Sequence, residues 1–266
     1  MKQLLLPIIL SLVLNILGTK AMAYDFAEKN SDGVTIYYTY INEGKELSVT
    51  YKEWKKACYS GTVVIPEEVT FMNRTRKVTS IGDYAFYNCS NLSSVTIPSS
   101  VSSIGEIAFY NCTSLSMTKI PDNIINIGKE AFEGCEKLKS IELPKRIKII
   151  NFATFYDCTA LKSITIPDSV TIIEDRAFYN CSSLTSITLP SSLTTIEDQA
   201  FNDCDIIEVI SKNENPSMIG VKSFSQNTFY NATLYVPEGS IDIYKSVSGW
   251  KKFSFIEEGM PSNSKK

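Results

Sequence analysis

Histidine is absent from all 266 residues. Its absence excludes Ser-His-Asp and Cys-His nucleophile machinery, HExxH zinc sites and the usual general base near neutral pH. Calcium-loop spacing of acidic residues is missing too. Beyond the first residues, no segment is apolar enough to cross a bilayer. There is no basic excess either, with 26 Lys and Arg against 29 Asp and Glu, so nucleic acid and anionic lipid are poor partners. What is present, 44% hydrophobic and 21% charged residues, is the composition of a soluble globular chain with material for one substantial core.

Met1, Lys2 and Gln3 precede an apolar run from Leu4 to Leu17, and Ala21-Met22-Ala23 follows. This pattern predicts a secretory signal peptide over residues 1–23, cut before Tyr24. No Cys lies near the cut, which argues against a lipid anchor. Losing Lys2 and Lys20 would leave 24 basic against 29 acidic residues, a formal charge of −5. The mature chain is expected outside the cytoplasm, at the cell surface, secreted or periplasmic, with no integral membrane span and as a monomer.

Phe86, Phe109, Phe132, Phe155, Phe178 and Phe201 recur every 23 residues. The same interval separates Cys89, Cys112, Cys135, Cys158, Cys181 and Cys204, and likewise Ile81, Ile104, Ile127, Ile150, Ile173 and Ile196. Six copies at a fixed period predict a solenoid over residues 78–215, each copy stacking on the last. One copy alone buries too little to offset the entropy of ordering it, so the AFYNC motif recurs because every coil must present the same inward shape.

The second half of each copy, as in LSSVTIP at 92–98 and LKSITIP at 161–167, alternates and ends on proline, which predicts a strand. The first half, as in SIGEIAFYNC, reads as a short helical turn with acids at its start, as in Glu174-Asp175 and Glu197-Asp198, where a helix dipole favours them. Asn88, Asn111, Gly134, Asp157, Asn180 and Asp203 precede the cysteines and tolerate a left-handed conformation.

The ends should be closed. A β-rich N-terminal cap is expected over 24–77, with strands in VTIYYTYI, ELSVTY and GTVVIP and a hairpin around Met72-Asn73-Arg74. A final strand, TLYVP, and a short helical C-terminal cap are expected over 216–256, where Ser240 N-caps a helix and Trp250, Phe253 and Ile256 cover the last coil. A flexible tail is expected over 257–266.

The pattern IGxxAFxxCxxLxxIxIP, with the closing VPEGSIDIYKSVSGWKKF, resembles the BspA-type leucine-rich repeat proteins over about residues 60–256. These are exported or surface proteins of Bacteroides-like bacteria and some mucosal parasites. The resemblance implies an α/β fold, a right-handed β/α leucine-rich repeat solenoid curved like a horseshoe. For some members it implies adhesion to host extracellular-matrix proteins such as fibronectin or fibrinogen. It implies no cofactor and no catalysis.

The six in-register cysteines are expected to point inward as small buried hydrophobes. Rungs roughly 5 Å apart fall within disulfide reach, while parallel side chains argue against bonding. Cys58, placed outside the ladder, is expected to be the exposed thiol. Two faces are candidates for a protein ligand. The inner, strand-lined face carries Lys119, Lys139, Glu142, Lys162, Thr165 and Thr188 among serines and threonines, with Met117 also expected outward. The alternative is the row Tyr87, Tyr110, Tyr156 and Tyr179, beside Phe152, which stands where other copies have Asp, Glu or Lys. An exported, non-catalytic adhesion or interaction protein is the reading; an envelope scaffold without a dedicated ligand is its alternative.

Overall fold

The computed structural model describes residues 23–54, 56–117 and 119–261. The expected signal peptide, apart from Ala23, therefore lies outside the described residues, as does the end of the expected tail. The repeats form a β-solenoid in which successive coils pair in parallel. Phe86, Phe109, Phe132, Phe155, Phe178 and Phe201 are fully buried. Each ring lies 4.9–5.6 Å from the next, with planes within 3–7° of parallel. The ladder is longer than its sequence period. Phe224 adds a rung 5.1 Å below Phe201, and the Tyr59 ring sits 4.7 Å above Phe86.

The strand halves form where alternation predicts them, though the sheet is not continuous. Gly61–Val64 pairs with Leu92–Thr96, and Ser140–Glu142 with Ser163–Thr165. Ser186–Leu189, Glu208–Ser211, Thr233–Val236 and Phe255–Glu258 form a four-stranded parallel sheet. A second line of short strands runs through the isoleucine column. It consists of Arg74–Ile81, Ser103–Ile104 and Asn126–Ile127, then separately Ile149–Ile150, Ile172–Ile173, Thr195–Ile196 and Met218–Ile219.

The helical turn expected in the first half of each copy does not form, and the β/α description is corrected to an all-β coil through the six repeats. The reason is a second left-handed residue. Besides Asn88 and its counterparts, Tyr84, Ile107, Glu130, Ala153, Arg176 and Gln199 have φ between 49° and 59°, which stops a right-handed helix before one turn is complete. Instead the segment makes consecutive tight turns, with Ala85 N donating to Gly82 O and Tyr87 N to Tyr84 O. The remaining amides reach across to the next coil: Tyr84, Phe86 and Asn88 N–H groups donate to the carbonyls of Glu106, Ala108 and Tyr110 at 2.7–3.0 Å.

The acids have a different role in consequence. With no helix dipole to meet, they accept backbone N–H groups of a neighbouring coil. Asp83 Oδ1 accepts from Glu106 N at 2.8 Å, Glu174 Oε2 from Phe152 N at 2.8 Å and Glu197 Oε2 from Asp175 N at 3.0 Å.

Upstream, Phe26–Lys29, Thr35–Ile41 and Glu46–Thr50 pair antiparallel, and the last of these runs parallel to Arg74–Ile81. The hairpin is present: Glu68–Phe71 pairs with residues 74–77 across Met72 and Asn73, both at positive φ, the type I′ geometry of a two-residue β-turn. Downstream, Ser225 caps the helix Gln226–Asn231, its Oγ accepting from Thr228 N at 3.1 Å. Ser240 precedes the helix Ile241–Ser246 without a side-chain capping bond. Trp250 and Phe253 are buried against Phe224. Thr233–Val236 is not the last strand, and Glu257 and Glu258 belong to the strand Phe255–Glu258 rather than to a tail.

Backbone approaches most closely from coil to coil at Gly105 and Gly128. A Cβ added to Gly105 would lie 2.5 Å from the Asp83 nitrogen and 2.7 Å from the Gly82 carbonyl carbon, so backbone would have to move. Gly105→Ala is expected to cost about 1–3 kcal/mol by overpacking, and Phe155→Ala about 3–5 kcal/mol through the cavity it leaves. Urea unfolding checks both; an unchanged midpoint for either variant contradicts the stacked geometry.

Candidate functional site

The inner-face candidates are only partly brought together. Glu142 stands opposite Thr165 in the parallel register. Three residues earlier Lys162 N donates to Lys139 O at 2.9 Å, so the two exposed lysines are adjacent. Lys119 does not join them as a free charge, because its Nζ pairs with Glu142 Oε2 at 3.6 Å, an exposed ion pair of small energetic weight. Thr188 belongs to the separate four-stranded sheet, opposite Ile210. Met117, expected outward, is buried at 6% exposure. Among the described residues of that part of the copy only Lys119, bridged to Glu142, carries strand pairing, so strict alternation does not fix where Met117 points.

The aromatic row is organised as two stacked pairs. Tyr87 and Tyr110 lie 5.2 Å apart at 15°, and Tyr156 and Tyr179 lie 4.9 Å apart at 7°. Glu133 occupies the position between the pairs. Sequence reasoning missed the upstream extension, in which Tyr51, Trp54 and Tyr84 lead to Tyr87 at centroid distances of 4.7–5.9 Å. Those rings come from the N-terminal segment and from a non-repeating column, so no period reveals them.

Beside Glu133 the stack is irregular. In neighbouring coils a glycine or glutamate N–H donates to the isoleucine carbonyl of the coil before, as in Gly128 to Ile104 and Glu174 to Ile150, both at 2.9 Å. At Asn151 the side-chain Nδ2 donates to Ile127 O instead, at 2.6 Å. Thr154 replaces the usual alanine and returns its hydroxyl to Asn151 O at 2.7 Å. Among the described residues no strand pairing joins Asn126–Ile127 to Ile149–Ile150, and the Phe132–Phe155 step is the widest of the ladder at 5.6 Å.

A groove of about 500 Å³ opens at this seam, with Phe152, Tyr156 and Tyr179 as aromatic walls and Glu130, Glu133 and Arg176 as charged groups. Phe152, expected to be exposed, is half-buried, and the Arg176 guanidinium lies 6.0 Å over its ring. Gln199 Oε1 fixes that guanidinium by accepting from Nε at 2.7 Å. Burial, and then the charges of Glu130 and Asp157, push the Glu133 carboxyl up to about 7, against a hydrogen bond from Tyr110 that favours the ion. Such a site is suited to non-covalent recognition of a side chain by rings and opposed charges.

Residues 55–159 and 148–255 match the family described as BspA type leucine-rich repeat region, in six copies. A solved leucine-rich repeat protein of T. pallidum is 27% identical with a TM-score of 0.61, over 77% of this chain and 89% of that one. One from Eubacterium ventriosum is 24% identical with a TM-score of 0.50, over 77% of this chain and 52% of that one. A leucine rich cell surface protein from Faecalibacterium prausnitzii is 18% identical with a TM-score of 0.44, over 90% of this chain and 96% of that one. No curated protein matches the chain.

The Glu133 carboxyl, held near 7 rather than at its ordinary 4.5, binds its proton more tightly in the folded chain than in the unfolded one. Its contribution to stability is therefore fully favourable below about 4.5, declines as pH rises towards 7, and is constant above that. Glu133→Gln is expected to leave the melting temperature unchanged near pH 4 and to raise it at pH 8. An equal effect at both pH values, or a lower melting temperature at pH 8, refutes this.

Proposed function

Because the chain belongs to the BspA-type leucine-rich repeat family, we propose that it is an exported, non-catalytic binding protein that takes a protein ligand in the seam groove beside Phe152, Tyr156 and Tyr179. The family supports a protein-interaction role. The residues that read as a signal peptide support export to the surface, the medium or the periplasm. Adhesion to a host matrix protein follows from what the resemblance implies. Right-handed coiling accords with the handedness of parallel crossovers, and the segments at 24–77 and 216–256 act as caps for the stack.

The observation that carries the choice of site is the coincidence of the groove with the one step where Gly, Ala and acid columns give way together to Asn151, Thr154 and Phe152. Aromatic walls with two carboxylates favour a ligand segment that presents a lysine or arginine. The inner face is the second reading, favoured by the adjacency of exposed Lys139 and Lys162.

Immobilised fibronectin and fibrinogen, and a pull-down from envelope extract, test the assignment with two variants. Tyr156→Ala with Tyr179→Ala is expected to weaken capture by about tenfold or more, the effect of losing aromatic anchors. Charge reversal of Lys119, Lys139 and Lys162 to Glu is expected to leave it unchanged. The opposite pattern moves the site to the inner face. Capture of nothing by the wild-type chain favours the scaffold alternative.

A further inference from the structure

Five of the seven cysteines are spoken for. Cys112, Cys135, Cys158, Cys181 and Cys204 are buried, and each donates its S–H to a phenylalanine carbonyl of the preceding coil at 3.0–3.4 Å. Cys89 has no such partner in the first coil and donates instead to the Tyr87 carbonyl of its own turn, at 3.8 Å. Cys58 was expected outside the ladder. It lies beside the ladder's first rung: the strand pairing opens with Gly61 opposite Leu92, Gly61 donating to Asn91 O at 2.8 Å, and Cys58 and Cys89 each stand three residues before that pair. The two thiols lie close enough for each to shift the titration of the other, and the Tyr59 ring beside Cys58 packs 4.7 Å from that of Phe86. Cys58 is also the one partly exposed thiol of the seven.

From this geometry we infer that Cys58 and Cys89 form a disulfide when the protein meets an external disulfide oxidant. The hydrogen bond from Cys58 holds the Cys89 thiol down at about 7 and in turn pushes Cys58 up, so the pair shares one readily lost proton. Cys89, as the thiolate of the pair, takes up the Cys58 proton, and the accessible Cys58 sulfur attacks a sulfur of the external disulfide, whose S–S bond breaks as one thiolate leaves. A mixed disulfide stands on Cys58, where the reagent has access. Cys89 then attacks the Cys58 sulfur and expels the second thiolate. The protein loses two protons and two electrons, and the oxidant becomes two thiols. The new bond ties the entry of the first coil to its next turn and closes the loop that carries the 68–77 hairpin. Cys181 and Cys204 are buried and committed to the carbonyls of Phe155 and Phe178.

The purified full chain is treated with oxidised glutathione, and thiols are then counted in denaturant and tryptic peptides weighed. Two of the seven thiols should disappear, with a single cross-link joining the peptides of Cys58 and Cys89. The melting temperature should rise by roughly 5–10 °C, as closing a loop of this length does, and dithiothreitol should reverse it. Cys58→Ser should keep every remaining thiol and show no shift with oxidant. Seven surviving thiols, a lasting glutathione adduct on wild-type Cys58, or a cross-link to any other cysteine overturns the inference.

Discussion

A coil that bends through two left-handed residues cannot satisfy its own amides. An α-helix would return each N–H to a carbonyl four residues back, but the turn at 84–88 leaves alternate N–H groups pointing along the stack, and only the next coil offers carbonyls there. Every coil thus depends on its successor for backbone hydrogen bonds, at an offset of 22 residues from Tyr84 to Glu106 and from Phe86 to Ala108. An insertion inside the turn would break this ladder. With the offset fixed, any side chain that points inward in one coil meets its counterpart in the next. The column of parallel phenylalanine rings follows from the backbone constraint, and the burial of those rings supplies the hydrophobic term that the hydrogen bonds alone do not.

Regularity also defines where function can enter. At Gly105 and Gly128 the coils approach so closely that a Cβ has no room, and the surface there is dictated by stacking. Asn151 meets the coil before it differently. It substitutes a side-chain amide for the backbone N–H, and the seam it opens lets Phe152 stand beside Tyr156 and Tyr179. Departure from local rules at one place in a repeating structure marks a functional or a strained position. The inner face stays closer to the repeat, and the ion pair of Lys119 with Glu142 uses up charge instead of offering it.

The strand halves, the buried Phe and Cys columns, the left-handed residue before each cysteine and the 72–73 hairpin were all legible from residue type and spacing. The helical turn was misread because apolar residues at Ile104, Ala108 and Phe109 satisfy a helical spacing and equally a run of three-residue turns; the deciding residue, Ile107 at φ 58°, is a type that gives no left-handed signal. The terminal rungs escaped for a different reason. Phe224 keeps the 23-residue interval, but Ser223 stands where the motif has alanine, its hydroxyl bonded to Ile196 O and Gly220 O. Tyr59 and Cys58 are displaced because the hairpin lengthens the stretch before Phe86. The groove was half visible: Phe152 and the tyrosines stood out as pattern breaks, while Arg176 and Glu133 became partners only through stacking.

The cysteine column shows why position within the stack, and not residue type, sets chemistry. Each phenylalanine carbonyl from Phe86 to Phe178 accepts twice, from the amide of the cysteine three residues on and from the thiol one coil further. Serine would keep the second bond but bring a polar group into an apolar column, and alanine would keep the apolar character but leave a void; cysteine answers both demands. A sulfur held in that way is a packing atom. The first coil has no preceding phenylalanine carbonyl to hold the thiol of Cys89, so the same side chain, at the same height in the repeat, is left facing another sulfur.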